Sequence, residues 1–363
     1  MIITAGSLLG PWCFSRAATS EVFARMPRGN LTFAASGRAA ILACAKSLRI
    51  PRESTVLLPS YICPAVLEPF RAWGCEMRFY AMSERLRPAT REILHLLESG
   101  KVGLLFIIHY FGFPMPDFEE IIAACREREI PVIEDCAHAL FSSYKGRLLG
   151  EQGDAAVFSL RKVLPLPEGG IAVIRGDSVE SCRKPAVKIS EIGKLLREGL
   201  YWAEASSGIP VRNYLLGHAG FRRWIEVRDT LPLNAMEAPM GKLSYWFLKK
   251  VPASEIIQRR RANYRYLVEG LITKGRKNNG LLLYDELPEG VCPVGLPILI
   301  EDRDRVRGAL YRKGIGLRAY WDVLPKDVAS FSGSQELSRR ILVLPVHEGL
   351  RKKQLDVLIE ELG

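Results

Sequence analysis

Three runs in the first half of the chain, GLLFIIHY (103–110), PVIED (131–135) and AAVFSL (155–160), are apolar nearly end to end and of strand length. A strand wetted on one face alternates apolar and polar residues. These do not alternate, so both of their faces must be covered. DFEEIIAACRERE (117–129) lies between the first two and has helical periodicity, with acidic residues in its first turn where the helix dipole favours them. Upstream, the helical patterns GRAAILACAKSL (37–48) and CPAVLEPFRAW (63–73), the latter with Pro64 in its first turn, bracket the strand STVLLPS (54–60). A second short strand, IAVIR, follows AAVFSL. Buried strands alternating with helices predict an α/β fold with a mostly parallel sheet between helices.

The pattern divides near residue 240. Residues 1–240 are expected to form the large α/β domain. EIGKLLREGLYWAEA (191–205) reads as a helix, and 206–240 as a long functional loop or crossover. Residues 241–363 are expected to form a smaller α+β domain. It would hold a long amphipathic helix (253–273), a strand LPILI (296–300), a helix (303–314), a strand GLRAYWD (316–322) and a last helix (351–362).

Composition narrows the function. With 363 residues, 48% hydrophobic and 25% charged, the chain is ordinary for a soluble protein with a large core. No run approaches the about 20 apolar residues of a membrane helix, and no basic stretch precedes the apolar start, so neither a span nor a signal peptide is expected. The eight cysteines form no CxxC pair, which fits buried thiols in a reducing cytoplasm and predicts no metal site. The net charge of +11 is spread over short clusters without interleaved aromatics, which speaks against nucleic acid. Such a surface would also attract an anionic small molecule such as a nucleotide diphosphate.

In a parallel α/β sheet, ligands bind beyond the carboxyl ends of the strands. Ser36-Gly37-Arg38 opens a helix, where free N–H groups and the dipole favour an anion, although Ser36 alone would also serve as a cap. Tyr61 follows a strand and offers a ring for stacking. Asp135 ends a buried strand with His138 just beyond. A carboxylate there calls for a proton-bearing partner, though capping the next turn would also use it. Ser159 and Lys162 follow the next strand. A lysine at a strand end is commonly a solvated charge, but desolvated it can form a Schiff base with a carbonyl. Amine, carboxylate, aromatic and anion site, all at strand ends, fit pyridoxal 5′-phosphate.

The segments FAASGRAAILA (33–43), LLPSYICPAVLEPFRAWGCEMRF (57–79), HYFGFPMPDFEEI (109–121), VIEDCAHALFSSYKGRLLGEQGDAAVFSL (132–160) and LPVHEGLRKKQLDVLIEEL (344–362) resemble the DegT/StrS-type nucleotide-sugar aminotransferases, a branch of the fold-type-I pyridoxal-phosphate enzymes. The resemblance implies a homodimer with active sites shared across the interface. It implies Lys162 as the Schiff-base lysine, Asp135 as the carboxylate facing the pyridine nitrogen, His138 beside the ring and Tyr61 stacked on it. Gly37, Arg38 and Ser159 match phosphate-binding positions, with Ser36 beside them. Two places depart from the family. FSF-x-x-x-K is shortened, so that Ser159 and Lys162 lie three apart. The Asn-Tyr-Arg-Met stretch is replaced by LPLNAMEAP (231–239), where Asn234 is the nearest counterpart of the cross-subunit asparagine. Arg222, Arg223 and Arg228 would join it toward the partner's site. Arg318, Tyr320 and His347 are the candidates to face substrate.

The expected activity is transfer of an amino group from an amino acid, glutamate by the resemblance, to a keto-sugar, usually nucleotide-linked and destined for lipopolysaccharide or other cell-surface polysaccharide. The alternatives are a pyridoxal-phosphate sugar dehydratase, in whose relatives histidine replaces the lysine, and a non-catalytic cofactor-binding regulator of the same fold.

Overall fold

The computed structural model describes residues 3–4, 21–176, 184–194, 236–275 and 282–362. The strands are β1 (Asn30–Ala34), β2 (Thr55–Pro59), β3 (Glu76–Tyr80), β4 (Val102–Ile108), β5 (Val132–Asp135), the small hairpin β6 (Ser143–Tyr144) and β7 (Arg147–Leu148), β8 (Ala155–Ser159), β9 (Gly170–Ile174), β10 (Gly295–Leu299) and β11 (Ile341–Pro345). Seven of them form one sheet in the order β1-β9-β8-β5-β4-β2-β3. The five from β3 to β8 in that order run parallel. β9 runs antiparallel to β8, and β1 antiparallel to β9. The reversal has a simple cause. Residues 160–169 are too few for a crossover, so the chain turns back as a hairpin connection closed by the Ser159–Gly170 pair.

The continuous apolar runs are the central strands: every residue of β2, β5 and β9 is buried. β3 lies on the edge and alternates between exposed and partly buried positions, which is why it lacks the run that marks the others. The helices Gly37–Ser47, Pro64–Trp73 and Phe118–Glu127 lie within the segments predicted for them. Gly74, at φ 86°, ends the second of these in the left-handed region that glycine adopts freely.

In the C-terminal part, β10 and β11 pair antiparallel, and the helix Ala253–Thr273 packs on the helix Lys352–Leu362. The expected strand at 316–322 does not form. Only Arg318 makes a bridge, to Val343, and the following residues leave the sheet to place Tyr320 and Trp321 against other rings. Residues 191–194 begin the expected helix at 191–205, and the rest of it lies outside the described residues. So do Asn234, Arg222, Arg223 and Arg228. Where the chain resumes, Ala238 and Met240 hydrogen-bond alongside β1. Buried apolar side chains of both parts of the chain form one cluster. Among the described residues no helix is long and apolar enough to cross a membrane.

Candidate active site

The carboxyl end of β5 is fixed first. Glu134 is fully buried and would be costly without partners. It accepts hydrogen bonds from His109 Nε2 at 3.0 Å and from the amides of Gly150, Gln152 and Gly153 at 2.9, 2.8 and 2.5 Å. The Met115 amide donates to His109 Nδ1 at 3.1 Å, so the histidine proton sits on Nε2 and points at the carboxylate. Burial alone would raise the Glu134 carboxyl, but His109 and the amides outweigh it and hold it below the usual range. Among the described residues, His109, Glu134 and Cys136 place ligand-type atoms within 4.8 Å of one another. The histidine and glutamate spend theirs on each other and on amides, so this is a structural clamp.

Asp135 follows and is buried. Among the described residues only the Ala137 amide donates to it, at 2.8 Å. Burial pushes its carboxyl up, against the lowering pull of Lys162, the Ala137 amide and His109. A protonated ring nitrogen is a counter-charge that would suit such a carboxylate.

His138 Nε2 lies 3.0 Å from Lys162 Nζ. The Phe111 amide donates to His138 Nδ1 at 3.3 Å, so the imidazole proton is on Nε2, facing the amine. Burial first, then the cations Lys162 and Arg318, drives the imidazole pKa well below 6.5 and keeps it neutral. The rings of Phe111 and Trp321 lie nearly parallel to it, at 5.5 and 5.9 Å. Phe111 holds a left-handed backbone, φ 56°, a strain of about 1–2 kcal/mol for a residue with a Cβ. Gly112 follows at φ 99°, where a Cβ would stand 2.5 Å from the Cys292 carbonyl oxygen.

Lys162 rides on a one-turn helix, Leu160–Val163, directly after β8. Its Nζ lies 6.0 Å from the centre of the Trp321 ring. The glycine pair that follows brings the anion cup against this turn. Gly169 donates its amide to the Ala35 carbonyl at 3.0 Å. A Cβ on Gly170 would run into the Ser36 carbonyl and stand 2.9 Å from the Gly37 nitrogen. Ser36 caps the helix Gly37–Ser47 through Oγ, and a Cβ on Gly37 would meet Ser159 Oγ at 3.6 Å. Ser36, Gly37 and Ser159 therefore converge at the start of this helix, where its dipole favours an anion, a geometry that fits a phosphate.

The other candidates fall around this centre. Arg38 is paired with Glu68 at 2.9 Å. Tyr61 is fully enclosed; its hydroxyl donates to the Tyr320 carbonyl, and its ring lies 5.0 Å from that of Trp321. Arg318 donates to the Tyr320 hydroxyl at 3.1 Å. His347 is buried 3.1 Å from the Thr4 carbonyl, and burial lowers it to about 4. Trp321 and Phe111 belong to the site and escaped the sequence reading. Trp321 sits beside Tyr320 in a segment without periodicity. The left-handed turn at Phe111 has one trace in the sequence, the glycine that follows it.

A mostly parallel sheet with a carboxylate at the end of β5, an amine on the turn after β8 and an anion cup at a helix start defines a fold-type-I transferase. The chain belongs to the DegT/DnrJ/EryC1/StrS aminotransferase family, whose profile matches residues 28–363. It is similar to a dTDP-4-dehydro-2,3,6-trideoxy-D-glucose 4-aminotransferase of Saccharopolyspora spinosa, 25% identical over 92% of this chain and 83% of the relative. It is 33% identical to protein MosB of Rhizobium meliloti over 40% of this chain, a match that spans 29% of MosB. DesV of S. venezuelae, solved in complex with a ketimine intermediate, shares the fold with a TM-score of 0.65 and 19% identity, covering 98% of this chain and 89% of that one.

Proposed function

We propose that the protein is a pyridoxal-5′-phosphate-dependent aminotransferase that moves an amino group from an amino acid, glutamate in our reading, to a nucleotide-linked keto-sugar for cell-surface polysaccharide. The observation that carries this reading is the Lys162–His138 contact at 3.0 Å beside an under-partnered, buried Asp135. The similarity to a relative named for a dTDP-keto-sugar supports the acceptor class.

When bound, the cofactor supplies a reactive aldehyde carbon and a ring that accepts electrons. Lys162 presents its amine to that carbon and moves a proton at the substrate carbon. Asp135 keeps a proton on the ring nitrogen. His138 would stand beside the ring and orient Lys162 through Nε2. Ser36, Gly37 and Ser159 hold the phosphate, with Arg38 one helical residue away. Tyr61 backs the ring through Trp321. Arg318, Tyr320 and His347 line the substrate side. The reading includes a cytoplasmic homodimer in which Asn234 and the arginines of 206–240 reach the partner's site. It divides the chain into a large domain, 1–240, and a small one, 241–363. Presence of Lys162 sets it apart from the dehydratases.

The test is direct. Purified protein given the cofactor should absorb in the visible, and borohydride should fix the adduct on Lys162, as mass spectrometry reads it. Glutamate should then shift the band, and keto-sugar nucleotides should restore it. An adduct on Lys145 or Lys184, or a band that glutamate leaves unchanged, would remove the catalytic reading.

A further inference from the structure

Behind the turn that carries Lys162 lies a buried guanidinium. Arg260, from the helix Ala253–Thr273, is only 1% exposed. Its Nε donates to Glu348 at 3.1 Å, Nη2 to the Val163 carbonyl at 2.6 Å and Nη1 to the Pro293 carbonyl at 3.3 Å. Replacing a buried ion pair by apolar side chains is often neutral or stabilising, so stability alone gives little reason for it. The two carbonyls give a better one. Val163 follows Lys162 in the one-turn helix. Pro293 precedes Val294, whose amide donates to the Phe111 carbonyl at 3.0 Å. Phe111 in turn sets His138, and His138 meets Lys162. The contacts close a ring: Lys162, Val163, Arg260, Pro293, Val294, Phe111, His138 and back to Lys162.

We propose that Arg260 is a positioning residue that fixes the distance between Lys162 and His138 by gripping both arms of this ring at once. The inference rests on Lys162 being the reactive amine. A planar guanidinium can hold two carbonyls and a carboxylate in one rigid geometry, and an ammonium cannot. Glu348 balances the charge and takes no part in the spacing. The helix that carries Arg260 belongs to the C-terminal part of the chain, so the placement of the reactive amine depends on how that part docks.

Two variants separate positioning from stability. Glu348→Gln leaves Arg260 on both carbonyls but strips its counter-ion, so it should lower the thermal midpoint while preserving the Lys162–His138 pair. Arg260→Lys should release one carbonyl. A misplacement of about 1 Å at a reacting group costs about a hundredfold in rate. The expected result is a fall on that order in the rate at which apoprotein and pyridoxal 5′-phosphate form the borohydride-trappable adduct in Arg260→Lys, and less than threefold in Glu348→Gln. Nitrogen NMR of the apoprotein, with His138→Gln to assign the signal, gives a readout free of cofactor. His138 should show the Nε2–H tautomer in the parent and in Glu348→Gln, and a mixture in Arg260→Lys. Should Arg260→Lys fail to fold, Val294→Pro cuts the opposite arm by removing the amide to Phe111 and should give the same mixture. Rates that track the thermal midpoint in both variants, with an unchanged tautomer in Arg260→Lys or Val294→Pro, would overturn the proposal. Loss of all adduct in the parent protein would instead defeat the reading on which it rests.

Discussion

Lys162 and His138 meet nitrogen to nitrogen at 3.0 Å, and the imidazole nitrogen in that contact is the one that carries the ring proton. The Phe111 amide occupies Nδ1, so Nε2 carries the hydrogen. Once the amine has given up its own proton, a neutral donor at that place can hold the lone pair in line without setting a positive charge beside it. Two near-parallel rings and the Phe111 amide pack against the buried imidazole.

Asp135→Asn keeps an acceptor for the Ala137 amide but removes the charge that a ring proton needs. The fold and cofactor binding should survive. The single-turnover spectral change with glutamate should slow on the order of a hundredfold, as loss of one charge-stabilising group does. A near-normal rate would reduce Asp135 to a turn cap.

Gly170→Ala drives a methyl into the Ser36 carbonyl, a backbone atom that cannot swing aside. We expect a stability loss of about 1–3 kcal/mol by denaturant titration, together with cofactor affinity weakened well beyond that of Ser36→Ala. The latter removes one helix cap, worth about 1 kcal/mol, and leaves the cup's backbone in place. Equal affinities in the two variants would show that the cup does not depend on this close approach.

Acid should destabilise the protein partly through His347. Its pKa is 6.5 ordinarily and about 4 here, because burial disfavours the cation. The unfolded chain then binds the proton more readily than the folded one. Stability should therefore fall as pH drops from about 6.5 toward 4, by up to about 3 kcal/mol from this group. His138 is displaced in the same direction and adds to the slope. Calorimetry of His347→Gln should show a shallower fall across that window; an unchanged slope would remove His347 from the account.

Tyr320 should ionise before the other buried tyrosines. Burial alone would raise its phenol, but the Arg318 and Lys162 cations outweigh it and bring it below 10. Burial pushes Tyr61, Tyr80, Tyr110, Tyr264 and Tyr284 upward. An ultraviolet titration should show an early phenolate step that disappears in Tyr320→Phe and moves to higher pH in Arg318→Met. If the early step persists in Tyr320→Phe, it belongs to another residue.

Much of this architecture was legible because burial writes itself into composition. β4, β5 and β8 had to be covered on both faces, and the residues that end β5 and follow β8 could be singled out from their place at strand ends. β3 and the direction of β9 were harder. β3 is an edge strand whose pattern is diluted by solvent-facing residues, and direction depends on the length of a connection rather than on periodicity. The 316–322 segment reads as a strand in the sequence, whereas its Tyr320 and Trp321 pack against the rings of Tyr61, Phe111 and His138. Arg260 resembled a surface charge in a basic triplet. Its burial is a tertiary fact, set by two carbonyls and a carboxylate far away in sequence.

The hairpin closed by Ser159 and Gly170 has a bearing on how such enzymes can diverge. A connection between parallel strands is tied to a helix on the face of the sheet, and changing its length drags that helix. Residues 160–169 have no such tether at the sheet level, since the Ser159–Gly170 pair seals the strands before the turn begins. Length can therefore be gained or lost inside this turn without moving any strand register. The short gap between Ser159 and Lys162 lies inside this turn, so it alters the path of the connection and leaves the register of β8 and β9 as it is.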